Sequence, residues 1–586
     1  MTNRYSLKLA HINDTHSHFD PSRVQFLLTH EQQSYEVYSH SGGYARIGYR
    51  VQQARHQAAN AGQDFLFLHG GDSFQGTLYF NQFQGVANAD LLNRLTPDAM
   101  VLGNHEIDAG NQPVKQFLDT INFPLLAGNM DLSQEDPHKQ VKLANHPRLF
   151  DYDVESRTAK VLLKSLGDKQ LAIIGITLDQ MKEIARPDED TYFADAIATT
   201  ANTVAKLKAE GIEHILVLSH LGWDKDKVLA REVPGISLIV GGHSHTLQGE
   251  FSAIGHSALP YGYRVEDTPI LHAGKYAETL GLCDIEFDDK GRVTSLVGHN
   301  YFMLDEHLII EGKQEVTATI YSALKQQLMA HPGVLWNEDQ WDEELSEINQ
   351  VIAQHYRPAI DALEHQVLGF VPKNLIHTRL PSKALPHGSE IAPWVCKSIY
   401  HETRRLNLQV DFALHNAGGV RQSLNKGTVT MADVLGRLLP FALPLVKYHI
   451  LGRYLYQTLE SAINSATNNS ITGTGAGSFP YTYGLKYCYD GRQPLGRRIL
   501  QLEILTEIAG ETQWHSVMPD RLYCGVSSAY TASGKEGYQD LLKAEKQVSI
   551  EALTLPQAFI RFMQREEGLN GVMPPHVVYT SHLEGL

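Results

Sequence analysis

Five short stretches of this chain carry side chains able to hold a metal ion. Asn13-Asp14-Thr15-His16-Ser17-His18 sets a carboxylate and an imidazole two residues apart. Gly70-Gly71-Asp72, Gly103-Asn104-His105-Glu106, Ser219-His220 and Gly241-Gly242-His243-Ser244-His245 supply further oxygen and nitrogen donors. Taken singly, each has an ordinary explanation. Asp and Asn favour turns, and a lone His at a strand end is usually a hydrogen-bonded core residue. Taken together they form one ligand set: Asp14, His16, Asp72, Asn104, His220, His243 and His245. Oxygen and nitrogen donors without thiolates suit borderline divalent ions (Mn, Zn, Co or Fe) and argue against a structural cysteine site. The set exceeds the needs of one tetrahedral ion. With Asp72 bridging, it divides between two ions, which in catalytic pairs lie about 3.5–4 Å apart. Such a pair lowers the pKa of a bound water toward neutrality, which makes a hydroxide nucleophile.

The elements that must position these residues are legible beside them. Leu7, Leu9 and Ile12 form a buried strand ahead of Asp14. Phe65-Leu66-Phe67-Leu68 runs into Gly70-Gly71-Asp72, and Met100-Val101-Leu102 into Gly103-Asn104. The apolar run at 215–218 leads to His220, and Leu238-Ile239-Val240 to His243 and His245. Loops at the carboxyl ends of strands form the crevice where α/β proteins bind ligands, and the adjacent glycines allow close backbone approach. Between the strands, Ile47, Val51, Ala54 and Ala58 recur at helical spacing until Ala61-Gly62, as do Ile197, Ala201, Val204 and Leu207. A hairpin over 282–303 closes this first domain, residues 1–304.

Residues 305–363 are polar and helical in pattern, without a strand, and Ile348, Ile352, Tyr356 and Ile360 share one face. They read as a connecting region ending in a linker helix. A second domain, residues 364–586, mixes strands at 411–414, 484–489 and 499–504 with helices such as 454–466. The Asn-, Thr- and Gly-rich stretch 468–478 reads as a flexible loop, and the two halves share no internal repeat.

At 586 residues the chain is too long for one ordinary core. Its 42% hydrophobic and 20% charged content is that of a soluble globular protein. A formal net charge of -16 disfavours a general nucleic-acid binder. No apolar run approaches the roughly 18 residues a membrane span needs, and no secretory h-region precedes the first strand. Cys283, Cys396, Cys488 and Cys524 are far apart and form no C-x-x-C, which suits a reducing cytoplasm. A chain trimmed of a signal peptide reads the same, so a periplasmic or secreted location stays open.

The ordered blocks Asp14-x-His16, Gly71-Asp72, Gly103-Asn104-His105-Glu106, His220 and Gly242-His243-x-His245 resemble the calcineurin-like metallophosphoesterases. Beyond the linker, Asn416-Ala417-Gly418-Gly419-Val420-Arg421 looks like the nucleotide-binding block of the 5′-nucleotidase C-terminal domain. Leu439-Pro440-Phe441, Tyr483-Gly484-Leu485-Lys486 and Tyr530 through Tyr538 are similar to its later blocks. The resemblance covers the chain apart from about 305–345 and the segments near 20–40 and 131–160. It implies an α/β architecture: a metallophosphoesterase β-sandwich flanked by helices, a linker helix, and an α/β substrate-binding domain.

The resemblance also implies roles. Asp14, His16, Asp72 and His245 hold one metal, and Asp72, Asn104, His220 and His243 the other. His105 and Asp108 are the catalytic pair, Asp108 orienting the imidazole. Asn416, Arg421, Phe441 and Tyr530 hold nucleotide or phosphate. Some blocks depart from the family pattern. Tyr530 stands where Phe is usual, and Gly534-Lys535-Glu536-Gly537 replaces Gly-Gly-Asp-Gly, leaving Glu536 to reach the ribose. Arg379, as a phosphate ligand, opens a block that lacks the usual Asn-rich pattern, and Ala442-Leu443-Pro444 follows Phe441 in place of Gly-Asn. The implied activity is a dimetal phosphoesterase acting on a small-molecule nucleotide. The alternatives within the enzyme class are a UDP-sugar or dinucleotide pyrophosphatase, a 2′,3′-cyclic nucleotide phosphodiesterase and a thiosulfate-ester hydrolase. A non-catalytic nucleotide-binding protein is the alternative outside it, and the acidic balance disfavours a nuclease.

Overall fold

The strand Tyr5–Ile12 pairs in parallel with Asp64–His69 on one side and antiparallel with Thr279–Phe287 on the other. The computed structural model describes residues 5–311, 316–336, 346–467, 476–508 and 511–581, which divide into two units, Met1–Pro358 and Ala359–Leu586. In the first unit the parallel ladder continues from Asp64–His69 through Ala99–Val101 to Leu125–Leu126. All four strands therefore end on the same edge.

A second sheet runs in parallel from Lys169–Ile176 through His214–Ser219 and Leu238–Val240 to Thr268–Leu271. The sheets share one core, in which Leu7, Leu9, Leu66, Leu68 and Val101 meet Ile173, Leu216, Leu218, Leu238 and Val240. Two sheets packed face to face make a sandwich. Helices cover the outer faces, which is why these strands read as continuous apolar runs rather than alternating ones. The helix Tyr44–Ala61 is stopped by Gly62 at φ 64°, whose N–H donates to the Ala58 and Ala59 carbonyls. Asp195 caps the helix Ala196–Ala209 by accepting from the Ala198 N–H.

Residues 305–363 depart from the expectation of a strandless region. Ile309–Glu311 pairs antiparallel with Gln33–Ser41, and Val334–Trp336 pairs in parallel with Val293–Leu304. Three residues are too few to show a period, and both strands exist because a wider sheet offers them hydrogen bonds. Between them the helix Ala318–Met329 lays Leu324 and Leu328 against Val24 and Phe26 of a hairpin, Ser22–His30 and Gln33–Ser41, at the sheet margin. The helix over 347–365 buries Ile348, Ile352, Tyr356 and Ile360 as expected, passing through a π-turn at Ile352–Tyr356. Of the loop expected at 468–478, residues 468–475 lie outside the described residues, and Ala476–Ser478 forms a 3-10 turn.

The second unit has a five-stranded sheet in the order Pro480–Tyr483, Phe412–Asn416, Leu522–Ser528, Pro444–Leu451, Glu545–Thr554. A four-stranded sheet contains Leu485–Asp490 and Ile499–Ile508. Helices Ala392–Arg405, Gly452–Thr467 and Leu555–Glu566 pack on a core that includes Trp394, Phe412, Tyr448, Leu459 and Phe559. The mixed α/β architecture expected from the sequence is the one observed. Among the described residues, no helix is long and apolar enough to cross a membrane.

Candidate dimetal active site

Every residue of the expected ligand set lies one to five positions beyond the end of a buried strand. Asp14, His16, Asp72, His243 and His245 have left-handed backbones, with φ of 50°, 46°, 56°, 73° and 54°. Side-chained residues seldom adopt that conformation, and it clusters at functional sites. Backbone hydrogen bonds clamp the loops together: Asp14 N–H donates to Gly71 O at 2.9 Å and His16 N–H to Asp72 O at 3.0 Å. Two glycines are required by close approach. A Cβ on Gly103 would fall 2.1 Å from Asp72 Oδ1, and one on Gly71, at φ 86°, 2.5 Å from His220 Nδ1.

Two groups of donors result, Asp14 with His16 and His245, and Asp72 with His220 and His243, each with its ligand atoms within 4.8 Å of one another. His16 Nε2 and His245 Nε2 are 3.1 Å apart, and His245 Nε2 is 3.6 Å from Asp14 Oδ1. His220 Nε2 lies 3.1 Å from Asp72 Oδ2 and 3.3 Å from Asn104 Oδ1, which is 3.0 Å from His243 Nδ1. Tetrahedral donors about 2.1 Å from an ion stand about 3.4 Å apart, so these separations fit ligands grouped around cations. The tautomers fit too. His220 Nδ1 faces the Gly70 carbonyl at 2.7 Å and His16 Nδ1 the Phe74 carbonyl at 3.1 Å. Donation there turns each Nε2 toward the pocket.

Burial dominates the titration of the pocket. It pushes the Asp14 carboxyl up to about 8, His243 down to about 3 and His245 down to about 4. His16 also falls well below its ordinary value, mainly through burial. Neutral imidazoles keep a lone pair for a cation. His220 differs: burial lowers its pKa, but Asp72, Asp14 and the Gly70 carbonyl together lift it to about 9.

His105 stands beside this set. Its Nδ1 is 2.5 Å from Asp108 Oδ2, its backbone N–H donates to Asp72 Oδ1 at 2.9 Å, and its ring meets that of His16 edge-on at 5.1 Å. A ring nitrogen of His105 also lies within 4.8 Å of donor atoms of His16 and Asp72. Its side chain keeps 26% exposure, against 0% for His220, so His105 is at the rim and His220 at the floor.

Other residues hold the pocket without having been assigned a role from sequence. Glu106 is buried and accepts from the N–H groups of Asp72, Ser73, Phe74 and Gly103 at 2.7–3.0 Å. One carboxylate thus ties the Asp72 loop to the Asn104 loop, and its signal was the Glu that ends Gly103-Asn104-His105-Glu106. Asn13 donates to Asp14 Oδ2 at 2.7 Å and accepts from Ala273 N–H at 2.7 Å. Asp226, fully buried, accepts from Ser219 Oγ at 2.5 Å and faces His272 Nε2 at 2.8 Å, bracing the turns before His220 and His243. Nothing local marks Asp226 or His272 in the sequence.

In the second unit, Asn416 ends the strand Phe412–Asn416 and accepts from the Thr531 hydroxyl at 3.1 Å. Arg421 lies 5.7 Å over the Phe441 ring, and Lys535 lies 5.9 Å over Tyr530. Glu536, at φ 48°, has its carboxyl raised by burial, opposed by a hydrogen bond with Tyr530 and by the guanidinium groups of Arg379 and Arg421. The structure therefore gathers Arg379, Arg421, Phe441, Tyr530 and Glu536 into one neighbourhood. His377, which the sequence reading passed over, belongs to it: burial, then Arg379 and Arg421, lower its pKa to about 4.

A sandwich of mainly parallel sheets, with His, Asp and Asn donors grouped at its strand ends, defines a calcineurin-like, metal-dependent phosphoesterase. Residues 7–247 match the calcineurin-like phosphoesterase family, and residues 376–543 match the 5′-nucleotidase C-terminal domain. The chain belongs to the 5′-nucleotidase family of metallophosphoesterases and is a phosphoric ester hydrolase. It is 28% identical over 601 residues to a probable 5′-nucleotidase of Treponema pallidum, covering 98% of this chain and 94% of that one. It is 28% identical over 608 residues to the NAD 5′-nucleotidase of Haemophilus influenzae, covering 99% and 94%. The crystal structure of a 5′-nucleotidase precursor from Thermus thermophilus superposes with a TM-score of 0.67 at 27% identity, covering 99% of this chain and all of that one.

Proposed function

We propose that this chain hydrolyses phosphate esters of nucleotides with two divalent ions, Mn, Zn, Co or Fe, held in the pocket of the first unit. Asp14, His16, Asp72 and His245 would hold one ion and Asp72, Asn104, His220 and His243 the other. When bound, such ions supply Lewis acidity toward phosphate oxygens and acidify water for attack on phosphorus. The observation that carries this reading is the pair of donor groups, Asp14–His16–His245 and Asp72–His220–His243, at one edge of the sandwich.

The remaining roles belong to the chain's own groups. Asp108 Oδ2 holds His105 Nδ1, which turns the opposite ring nitrogen to the pocket to give a proton to the leaving oxygen. General acid catalysis of this kind contributes about 10²–10⁴-fold. In this reading residues 1–304 are the catalytic part, 305–363 connect, and 364–586 select the substrate. Phe441 and Tyr530 stack on the base, Asn416, Arg421 and Arg379 bind its polar edge or phosphate, and Glu536 reaches the ribose. The four cysteines are free thiols, which agrees with a reducing cytoplasm.

A second reading, cleavage of a dinucleotide pyrophosphate, is favoured by the relative named NAD 5′-nucleotidase, which aligns over 99% of this chain. The test is phosphate release from AMP, NAD and UDP-glucose by protein stripped with a chelator and reloaded with Mn, Co or Zn. Reloading restores turnover if the reading holds. A stripped protein that works at full rate contradicts it.

A further inference from the structure

The turn at 274–277 borders the pocket and has no part in the roles above. Gly274, Tyr276 and Ala277 all have left-handed backbones, with φ of 74°, 56° and 53°. Two consecutive side-chained residues in that region persist only where the surroundings force them. Here Tyr276 N–H donates to the Asp14 carbonyl at 2.7 Å, and Gly43 N–H donates to the Ala277 carbonyl at 3.0 Å. The strained turn is thus tied directly to a ligand residue.

What the turn holds in place is an aromatic ring and a cation. The Tyr276 ring meets those of His16 and His245 edge-on, each at 5.7 Å, and stacks on His18 at 4.4 Å. Lys275 Nζ lies 4.5 Å from the centre of the same ring. Among the described residues its ammonium makes no hydrogen bond and no ion pair. The neighbouring Glu278, whose carboxyl burial raises to about 7 against the pull of Lys275, is not ion-paired to it either.

An ammonium has three donors and no acceptor, so it cannot serve as a metal ligand. An uncommitted, half-buried cation beside a pocket for phosphate is suited to an anion. In the proposed function the phosphate under attack is held by the ions, and His105 gives a proton to the leaving oxygen. A second phosphate on the same substrate is the anion nearest in chemistry to what Lys275 offers at the edge of that pocket.

We infer that Lys275, braced on the Tyr276 ring, binds the phosphate that is not attacked in a nucleotide pyrophosphate diester. The inference rests on the proposed function, in its second reading, and adds a residue that favours substrates with two linked phosphates over those with one. Losing a charge-assisted hydrogen bond weakens binding by about ten- to 150-fold.

The experiment compares metal-loaded wild type, Lys275→Met and Lys275→Arg on AMP, with one phosphate, and on NAD, with two. The ratio of kcat/KM for NAD to that for AMP should fall about tenfold or more in Lys275→Met, through KM. Lys275→Arg, which keeps the charge, should recover most of it. Calorimetric titration with inorganic pyrophosphate and with phosphate gives a readout free of turnover: the preference of wild type for pyrophosphate should shrink by a similar factor in Lys275→Met. An unmoved ratio, or equal losses on both substrates, overturns the subsite. Wild type that hydrolyses AMP but not NAD also overturns it and leaves the proposed function standing. Wild type that hydrolyses neither overturns both.

Discussion

In the first unit, the proposed ligand side chains sit on tight turns directly beyond buried strands, and most are themselves buried: Asp14 and His220 at 0%, Asp72 at 2%, His16 at 5%. In the second unit, Arg379 and Arg421 are exposed, Phe441, Tyr530 and Glu536 keep part of their surface in solvent, and Asn416 is buried. The first group is short and doubly anchored; the second uses long side chains held by ring faces and charge. Chemistry on phosphorus tolerates little displacement of donors, whereas a stacked base tolerates sliding. The two regions are thus built to different tolerances, one by backbone constraint and one by side-chain reach.

The largest effect should come from breaking the sharing of Asp72. Asp72→Asn keeps the shape and removes the charge facing His220, and losing one partner of a buried charged pair costs about 3–5 kcal/mol. Metal content measured on the purified variant should fall, and added Mn, Co or Zn should restore far less activity than in stripped wild type. Normal metal content would leave Asp72 outside the ligand set.

His105→Ala should lower kcat by about 10²-fold or more while both ions stay. Asp108→Asn should act in the same direction and add little to it, because residues working as a unit are not additive. An ion missing from His105→Ala would move His105 into the ligand set, next to His16 and Asp72.

The comparison sharpens with Tyr530→Ala. Base–aromatic stacking is worth about 1–3 kcal/mol, so KM for a nucleotide should rise about five- to 150-fold. A small aryl phosphate, which needs only the first unit, should be hydrolysed nearly as by wild type. Equal losses on both substrates would erase the division between the regions. An effect of similar size, on metal affinity and not on KM, is expected from Glu106→Gln, which preserves the outline but exchanges one carboxylate oxygen for a donor among N–H groups. Support of this kind typically changes metal affinity by about 10–100-fold, read by chelator competition. An unchanged affinity would mean that the Asp72 and Asn104 loops hold themselves.

How much of this is legible in the sequence depends on length and locality. The strand-then-ligand pattern is readable because each ligand lies within a few residues of an apolar run that only a buried strand explains. The second-unit site is readable only through likeness to a family. Phe441 and Tyr530 taken alone are ordinary half-buried aromatics, and 89 residues separate them. Ile309–Glu311 and Val334–Trp336 are not readable, since their strand character belongs to the neighbours they pair with. Asp226 and His272 lie 46 residues apart and meet only when the second sheet forms. Glu106 is an intermediate case: its position in the motif is plain, but its four backbone donors come from two different loops.

The left-handed backbones of Asp14, His16, Asp72, His243 and His245 have a consequence for how such a chain drifts under mutation. Glycine would relieve the backbone at each of these positions, since it alone enters that region without steric penalty. The same exchange deletes a proposed ligand. At these residues, therefore, the substitution that relieves the backbone is the one that the proposed function tolerates least. Most mutations destabilise proteins, and selection removes only those that fall below a threshold. Once demand for turnover lapses, the backbone relief at these turns is set against the partners the lost side chain leaves behind, such as buried His220 beside Asp72.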